Sequence, residues 1–150
     1  MLCRCYQYIH TNKGDMMKYL SDYIDKPTTN ALNKHGGFYA FNNTQLEEGK
    51  KDLAKGTKLV SLGSGLIVPK KNAKQLLKDI DKAYTEGIKQ DIAENGIKAI
   101  IWRELANHEA QITGDISSTA FALSEYPITK EDINKHWSAY YKHCVENGYF

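Results

Sequence analysis

TKLVSLGSGLIVPKKNAKQLLKDIDKAYTEGIKQDI, residues 57–92, carries the clearest structural signals of the chain. Residues 57–69 are rich in apolar and β-branched side chains, which predicts a strand. Gly63–Ser64–Gly65 interrupts this run, so we expect either a bulge or the tip of a hairpin there. Residues 70–92 alternate apolar and charged side chains at helical spacing, which predicts an amphipathic helix. Its apolar stripe consists of Ala73, Leu76, Leu77, Ile80, Tyr84, Ile88 and Ile92.

The segment upstream contains shorter patterns of apolar residues, caps and breakers. They predict a strand at 2–9, a helix at 14–24 that Asp15 caps and that ends before Pro27, and a short helix at 28–37 closed by Gly36 and Gly37. A strand at 38–42 follows, and within 43–56 we expect a helix of one to two turns and then a turn. For the last of these, Asn43 or Thr44 is the expected N-cap, and Glu47 completes a capping box with Thr44.

The segment downstream is predicted to be mainly helical. One helix is expected at 97–112, and a final helix begins at Thr129 with Asp132 three residues later. Residues 116–123 are compatible with either a strand or a helix. We therefore expect one α+β domain over residues 1–150, mostly helical with a small sheet of two or three short strands.

Composition narrows the function classes. The net charge is only +2, and the basic residues are eighteen lysines and two arginines. Because arginine is the better residue for bidentate phosphate or base contacts, this bias argues against sequence-specific nucleic-acid recognition and leaves a weak, salt-sensitive mode open. No apolar run reaches the roughly 18 residues that cross a bilayer, so we expect no membrane span.

The cysteines predict a reducing compartment. Cys3, Cys5 and Cys144 are an odd number and follow no disulfide pattern, so we expect reduced thiols and a cytoplasmic protein. A zinc site would need further ligands such as His10 and His143, and the spacing matches no standard zinc motif. Two small, half-buried side chains are therefore the expected role of Cys3 and Cys5, and we expect no cofactor.

The candidate site lies in IKAIIWRELANHEAQITGD, residues 97–115. On a helical wheel His108 falls within the apolar stripe, and Glu104 lies at its edge one turn earlier. A carboxylate on a buried face needs a partner, so we expect Glu104 and His108 to neutralise each other inside the fold. The wider polar set is Glu104, Asn107, His108, Glu109 and Asp115.

Three interpretations of this set remain open. The first is a structural ion pair or hydrogen-bond network. In the second, Glu104, His108 and Asp115 or Glu109 hold a divalent metal, although the second histidine of H-E-x-x-H is missing. In the third, Glu104 orients His108 as a general base. The last two together give the alternative function, a metal- or histidine-dependent hydrolase acting on nucleotides or nucleic acid.

Three blocks together resemble a family of small uncharacterised proteins from bacteriophages and other mobile elements. They are GGFYAFNNTQLEEG (36–49), KLVSLGSGLIVPK (58–70) and RELANHEAQITGD (103–115), so that the resemblance covers roughly residues 36–115. The third block matches best, whereas Asn42 and Leu46 replace a serine and a phenylalanine that are usual in the first.

The resemblance implies a context rather than a reaction. It implies a small cytoplasmic accessory protein that binds a host protein without catalysis, for example as an inhibitor of a CRISPR effector or another defence complex. Nucleic acid is a second class of partner, and a membrane is not expected.

Overall fold

The computed structural model describes residues 17–150. Of these residues 66% are helical, and three short antiparallel strands form one sheet, so the predicted α+β class and the small sheet are confirmed. The strand predicted at 2–9 and the cap Asp15 lie outside the described residues. The chain divides into two compact units, residues 20–87 and residues 17–19 with 88–150. The expectation of one domain stays a prediction.

The first unit begins with α1 (Leu20–His35), which corrects the prediction of two helices separated at Pro27. Proline lacks an N–H and usually interrupts a helix. Here Tyr23 and Ile24 before the proline and Ala31 after it are all buried, so packing holds both halves in line. The Thr28 hydroxyl also donates to the Ile24 carbonyl at 2.7 Å, which supplies a hydrogen bond in the disturbed turn.

The sheet has the strand order β1–β3–β2, with β1 at Phe38–Tyr39, β2 at Leu59–Gly63 and β3 at Leu66–Pro69. Ser64 and Gly65 both have positive φ, as a two-residue hairpin turn requires, so the kink predicted there is a hairpin tip. β1 spans only two of the five residues predicted as a strand.

The helix after β1 is α2 (Asn43–Lys50), and its N-cap is one residue earlier than predicted. The Asn42 side chain accepts from the Gln45 N–H at 2.9 Å, and the Gln45 side chain accepts from the Phe41 N–H at 2.7 Å. The N-cap is Asn42, which has the extended backbone typical of that position. Asn43 and Thr44 already lie within the helix and are therefore not the cap.

α3 (Ala73–Asn95) follows a short 3-10 helix, Lys70–Asn72, and confirms the predicted long helix. Leu77 and Tyr84 from its predicted stripe are exposed, whereas Ala83 and Gly87 are buried. At Gly87 an added Cβ would lie 2.5 Å from Ile24 Cγ2, so the small residue lets α1 approach α3 closely. The core of residues 20–87 consists of Ala31, Leu66, Val68 and Leu76, with Leu32, Val60, Leu62, Ala73 and Ile80 packed against it.

The second unit contains the end of α3 and four further helices: α4 (Ile97–Asn107), α5 (Ala110–Thr113), α6 (Ser117–Ala122) and α7 (Lys130–Asn147). α4 contacts each of the other three. The ambiguous segment 116–123 is thus a helix, and Thr129 and Asp132 form the predicted capping box of α7. Buried side chains of this unit include Ile100, Ile101, Leu105, Leu123, Ile133 and Cys144.

The single helix predicted at 97–112 is wrong. α4 ends at Asn107, and Glu109 takes a left-handed conformation with φ +49° before α5 begins. The break turns Ala110 and Gln111 into the interior, where the Tyr140 hydroxyl donates to Gln111 Oε1 at 2.8 Å. Ile112, which a continuous helix would bury, is 54% exposed.

Candidate functional site

The centre of the polar site is a buried ion pair between α3 and α4. Gly96, with φ +79°, separates the two helices, and Asp91 and Arg103 lie on the faces that each helix buries. The guanidinium is bidentate: Arg103 Nη1 lies 3.1 Å from Asp91 Oδ1 and Nη2 lies 3.0 Å from Oδ2. Arg103 is 1% exposed and Asp91 0%. Such a pair is tolerated only where the remaining donors and acceptors are also satisfied.

Those remaining groups do find partners. The Tyr126 hydroxyl donates to Asp91 Oδ2 at 2.5 Å, and the Asn95 amide donates to Oδ1 at 2.7 Å. Arg103 Nη1 also donates to the Lys18 carbonyl at 2.9 Å. The network therefore connects α3, α4, the segment before α1 and the loop before α7 within one unit.

Charge in this network is fixed at neutral pH. Burial by itself lowers the pKa of Arg103, but the hydrogen bonds and negative charges of Asp91 and Glu104 raise that pKa above its usual value. Burial, followed by the Asp91 carboxylate, raises the pKa of the Tyr126 hydroxyl. Arg103 thus stays charged and Tyr126 stays protonated, so neither exchanges a proton near pH 7.

Glu104 belongs to the edge of this network rather than to a pair with His108. Its Oε1 accepts from Arg103 Nε at 2.9 Å, and its Oε2 accepts from the Asn107 amide at 3.2 Å. His108 Nε2 lies 3.8 Å from Glu104 Oε2, which is too long for a hydrogen bond. The side chain of His108 is 34% exposed and that of Glu104 13%. The imidazole is therefore a peripheral contact of a carboxylate that already accepts hydrogen bonds from Arg103 and Asn107.

Asp115 and Glu109 do not join these two residues. Asp115 Oδ1 accepts from the Ser117 N–H at 2.8 Å at the start of α6, and this backbone hydrogen bond lowers the pKa of Asp115. Glu109 is exposed at the break between α4 and α5. Within residues 17–150, no group of three histidine, cysteine or acidic side chains is placed to hold a metal ion.

The other metal candidates are only partly described. Cys3, Cys5 and His10 lie outside residues 17–150. Cys144 is buried in α7, and the His143 ring lies 5.3 Å from the Trp102 ring.

None of the helices within residues 17–150 is both long enough and apolar enough to cross a membrane.

An aromatic surface on α7 is the second feature of this unit. Trp137, Tyr141 and Val145 follow one another at four-residue spacing, and the Phe150 ring meets the Tyr141 ring edge-on at 5.8 Å. Tyr141 is 41%, Val145 54% and Phe150 63% exposed. We call Trp137, Tyr141, Val145 and Phe150 the α7 stripe. Apolar residues at this spacing predict core, and the structure instead buries Ile133, Tyr140 and Cys144 on the neighbouring face.

Sequence reasoning missed Asp91, Arg103 and Tyr126 as a set. One signal was present: Asp91 lies three residues after Ile88 and four after Gly87, so it shares the buried face of α3. The identity of its partner depends on the path of the chain at Gly96, between α3 and α4, and could not be predicted from periodicity.

Comparison with known proteins supports a family but not a reaction. Residues 20–143 match the sequence model of a family of unknown function, DUF7659. This matched range includes residues 36–115, where the three sequence blocks lie. No curated protein and no solved structure matches the chain. The match spans most of the 150 residues, and the chain therefore belongs to the family of unknown function DUF7659.

Proposed function

We propose that the protein acts without catalysis, by binding another protein through the α7 stripe. The observation that carries the proposal is the exposure of three large apolar side chains, namely Tyr141 and Val145 on α7 and Phe150, whose ring contacts Tyr141. Aromatic residues grouped in this way are the usual energetic centres of protein–protein interfaces. Contiguous exposed apolar surface is otherwise unfavourable for a soluble chain.

The arrangement of polar groups supports the same conclusion. Asp91, Arg103 and Glu104 are occupied with one another and with neighbouring donors, and Tyr126 joins this network to the loop before α7, the helix from which most of the stripe projects. The hydrolase alternative needs Glu104, His108 and Asp115 to converge on one open pocket. Asp115 is instead bound to the Ser117 N–H, so this alternative has no supporting geometry.

The finer proposal concerns the partner. We propose a host protein, contacted in the cytoplasm by an accessory protein of a bacteriophage or another mobile element, with a defence complex such as a CRISPR effector as the first candidate. This proposal rests on the sequence blocks around residues 36–49, 58–70 and 103–115 and on the analogy that such accessory proteins act on host machinery.

The test starts with affinity purification from the native host and continues with the captured protein in purified form. Tyr141→Ala and Phe150→Ala should each weaken its Kd at least about tenfold, as truncation of an interface centre does. Glu104→Gln and His108→Ala are the matched controls in the same unit and should leave Kd unchanged while Glu104→Gln lowers Tm. Unchanged binding by both stripe variants, or a dimer that already covers the stripe, would refute the proposal.

A further inference from the structure

Lysines are concentrated in one stretch of the chain. Residues 50–78 contain eight lysines and one acidic residue, Asp52, so this stretch carries +7 whereas the whole chain carries +2. Lys50 pairs with Glu47 at 2.7 Å. The other lysines are exposed, and none forms an ion pair with any of residues 17–150. They are Lys51, Lys55, Lys58, Lys70, Lys71, Lys74 and Lys78.

The fold brings these lysines together. Lys58 and Lys70 are neighbours across the open end of the hairpin, because the Lys70 N–H donates to the Lys58 carbonyl at 2.8 Å. Lys74 and Lys78 follow Lys70 at four-residue spacing along the 3-10 helix and α3. We call Lys58, Lys70, Lys71, Lys74 and Lys78 the lysine surface.

The loop that contains Lys55 approaches the same region. An added Cβ at Gly36 would lie 3.2 Å from Leu53 and 3.4 Å from Pro69, so the 51–58 loop and the residue before Lys70 flank one point of the chain. The Thr57 hydroxyl donates to the Ala54 carbonyl at 2.6 Å, which fixes the turn in this loop.

The acidic residue that follows the stretch does not neutralise it. Asp79 accepts from Lys34 at 3.2 Å and from Gln75 at 2.9 Å, and it pairs with His35 at 2.8 Å. Two of these partners, Lys34 and His35, belong to α1, so the Asp79 carboxylate is paired with α1 rather than with the lysines at 50–78. Like charges at four-residue spacing on a helix destabilise it, so the fold gains nothing from Lys70, Lys74 and Lys78 in a row. A bound polyanion would relieve this repulsion.

A pair of exposed aromatic rings lies at the other end of β3. Tyr39 pairs with Leu66, and the Ala40 N–H donates to the Gly65 carbonyl at 2.8 Å, which places residues 39–41 beside the hairpin tip. The Tyr39 and Phe41 rings are nearly parallel, at 9° with centroids 6.4 Å apart, and are 53% and 73% exposed. Flat, exposed rings on a basic unit are the platform on which single-stranded bases stack.

We propose that the lysine surface binds the phosphate backbone of a single-stranded nucleic acid, with Tyr39 and Phe41 stacking against its bases. The four residues of β3 separate the two features by about 13 Å, so a single strand of a few nucleotides reaches both. Residues 20–87 contain no arginine, so the contacts are point charges without base recognition, and binding is insensitive to sequence.

The experiment is fluorescence anisotropy of a labelled twenty-nucleotide poly-dT with the full chain across a salt series. Each phosphate neutralised on a single strand contributes about −0.7 to the slope of log K against log salt, so the lysine surface gives a slope of about −2 to −4. The triple variant K58Q/K70Q/K74Q should bind at least about tenfold more weakly and flatten the slope by about 2. The matched control, K89Q/K135Q/K142Q, removes three exposed lysines away from the lysine surface and should keep the wild-type slope.

The rings and the competing partners are tested in the same assay. Phe41→Ala should weaken binding about fivefold or more and leave the salt slope unchanged, because stacking carries no charge. A duplex of the same length should bind more weakly than the single strand, and vesicles of phosphatidylcholine with phosphatidylserine should not bind. A triple variant with wild-type affinity, a control that loses as much, a preference for the duplex, or binding to vesicles without binding to DNA would each overturn the proposal.

Discussion

Breaking the Asp91–Arg103 pair from one side is expected to be the most damaging single change in residues 88–150. Asp91→Asn keeps the volume of the side chain but removes the negative charge and turns one oxygen into a donor that faces the guanidinium. Arg103, 1% exposed, then remains charged in the interior without its bidentate partner. Arg103→Met is the reverse perturbation and leaves the carboxylate with Tyr126 and Asn95 alone.

The magnitude follows from burial. Removing one partner of a buried ion pair costs about 3–5 kcal/mol, because the other charge stays desolvated. In a chain of this length 1 kcal/mol corresponds to a Tm change of about 2–4 °C, so each single variant should melt about 6–20 °C lower. The double variant Asp91→Asn/Arg103→Met removes both buried charges, although it leaves Tyr126, Asn95 and Glu104 with fewer partners. It should therefore be less destabilised than the sum of the singles by about 2–3 kcal/mol or more.

Urea unfolding followed by circular dichroism measures all four corners of this cycle. Glu86→Gln is the control, because it removes an exposed contact of 3.8 Å with Lys82 and should change the unfolding free energy by less than about 0.5 kcal/mol. If Asp91→Asn lost less than about 1 kcal/mol, or if the two single losses added within about 0.5 kcal/mol, the network would not stabilise the packing between α3 and α4.

Three further predictions concern local features. The hydrogen bonds to Asp79, above all the one with His35, hold the pKa of this carboxyl well below its usual value. The carboxylate therefore stabilises the fold fully above pH about 4, and this stabilisation is lost as the pH falls further. Asp79→Asn should lower the Tm at pH 7 and should reduce the loss of Tm below pH 4. Gly49→Ala should destabilise by about 1–3 kcal/mol in urea despite the better helix propensity of alanine, because the added Cβ collides with the Phe38 ring. Thr129→Ala removes the capping box with Asp132 and should cost about 1 kcal/mol in the same assay.

Each of these has a neighbouring control. Asp81→Asn changes an exposed carboxylate on the same helix as Asp79 and should keep the wild-type pH profile. Lys50→Ala next to Gly49, and Ser138→Ala within α7, add or remove no buried contact and should each stay within about 0.5 kcal/mol of wild type. A control that changes as much as its partner variant would contradict the corresponding reasoning.

Local signals predicted the elements that local chemistry decides. The interruption at Gly63–Gly65 was expected as either a bulge or a hairpin tip, and it is a hairpin tip in which Ser64 and Gly65 both adopt positive φ. The capping box at Thr129 and the long helix over 73–95 were readable for similar reasons, since a cap or a stripe involves residues within one or two turns.

Features decided by distant packing were not readable. Pro27 signals a helix end, yet burial on both sides of it keeps α1 continuous. The wheel placed His108 in an apolar arc because it assumed one helix, and the left-handed Glu109 ends that helix to bury Gln111 against Tyr140 from another part of the chain. The sequence predicted Glu104 as a site residue but not Arg103, because the role of Arg103 depends on its contacts with Asp91 and Lys18 in other parts of the chain.

The contrast between two sets of charged residues bears on function. Around Asp91 and Arg103 every charge is matched by hydrogen-bonding partners in the interior, so these residues explain stability and leave little reactivity to assign. From Lys58 to Lys78, exposed charges of one sign accumulate without an ion pair to any of residues 17–150, at a cost that the fold does not recover. A charge that stabilises nothing within the chain is best explained by a ligand outside it. By this reasoning we expect charge to serve function at the lysine surface rather than at Glu104 and His108.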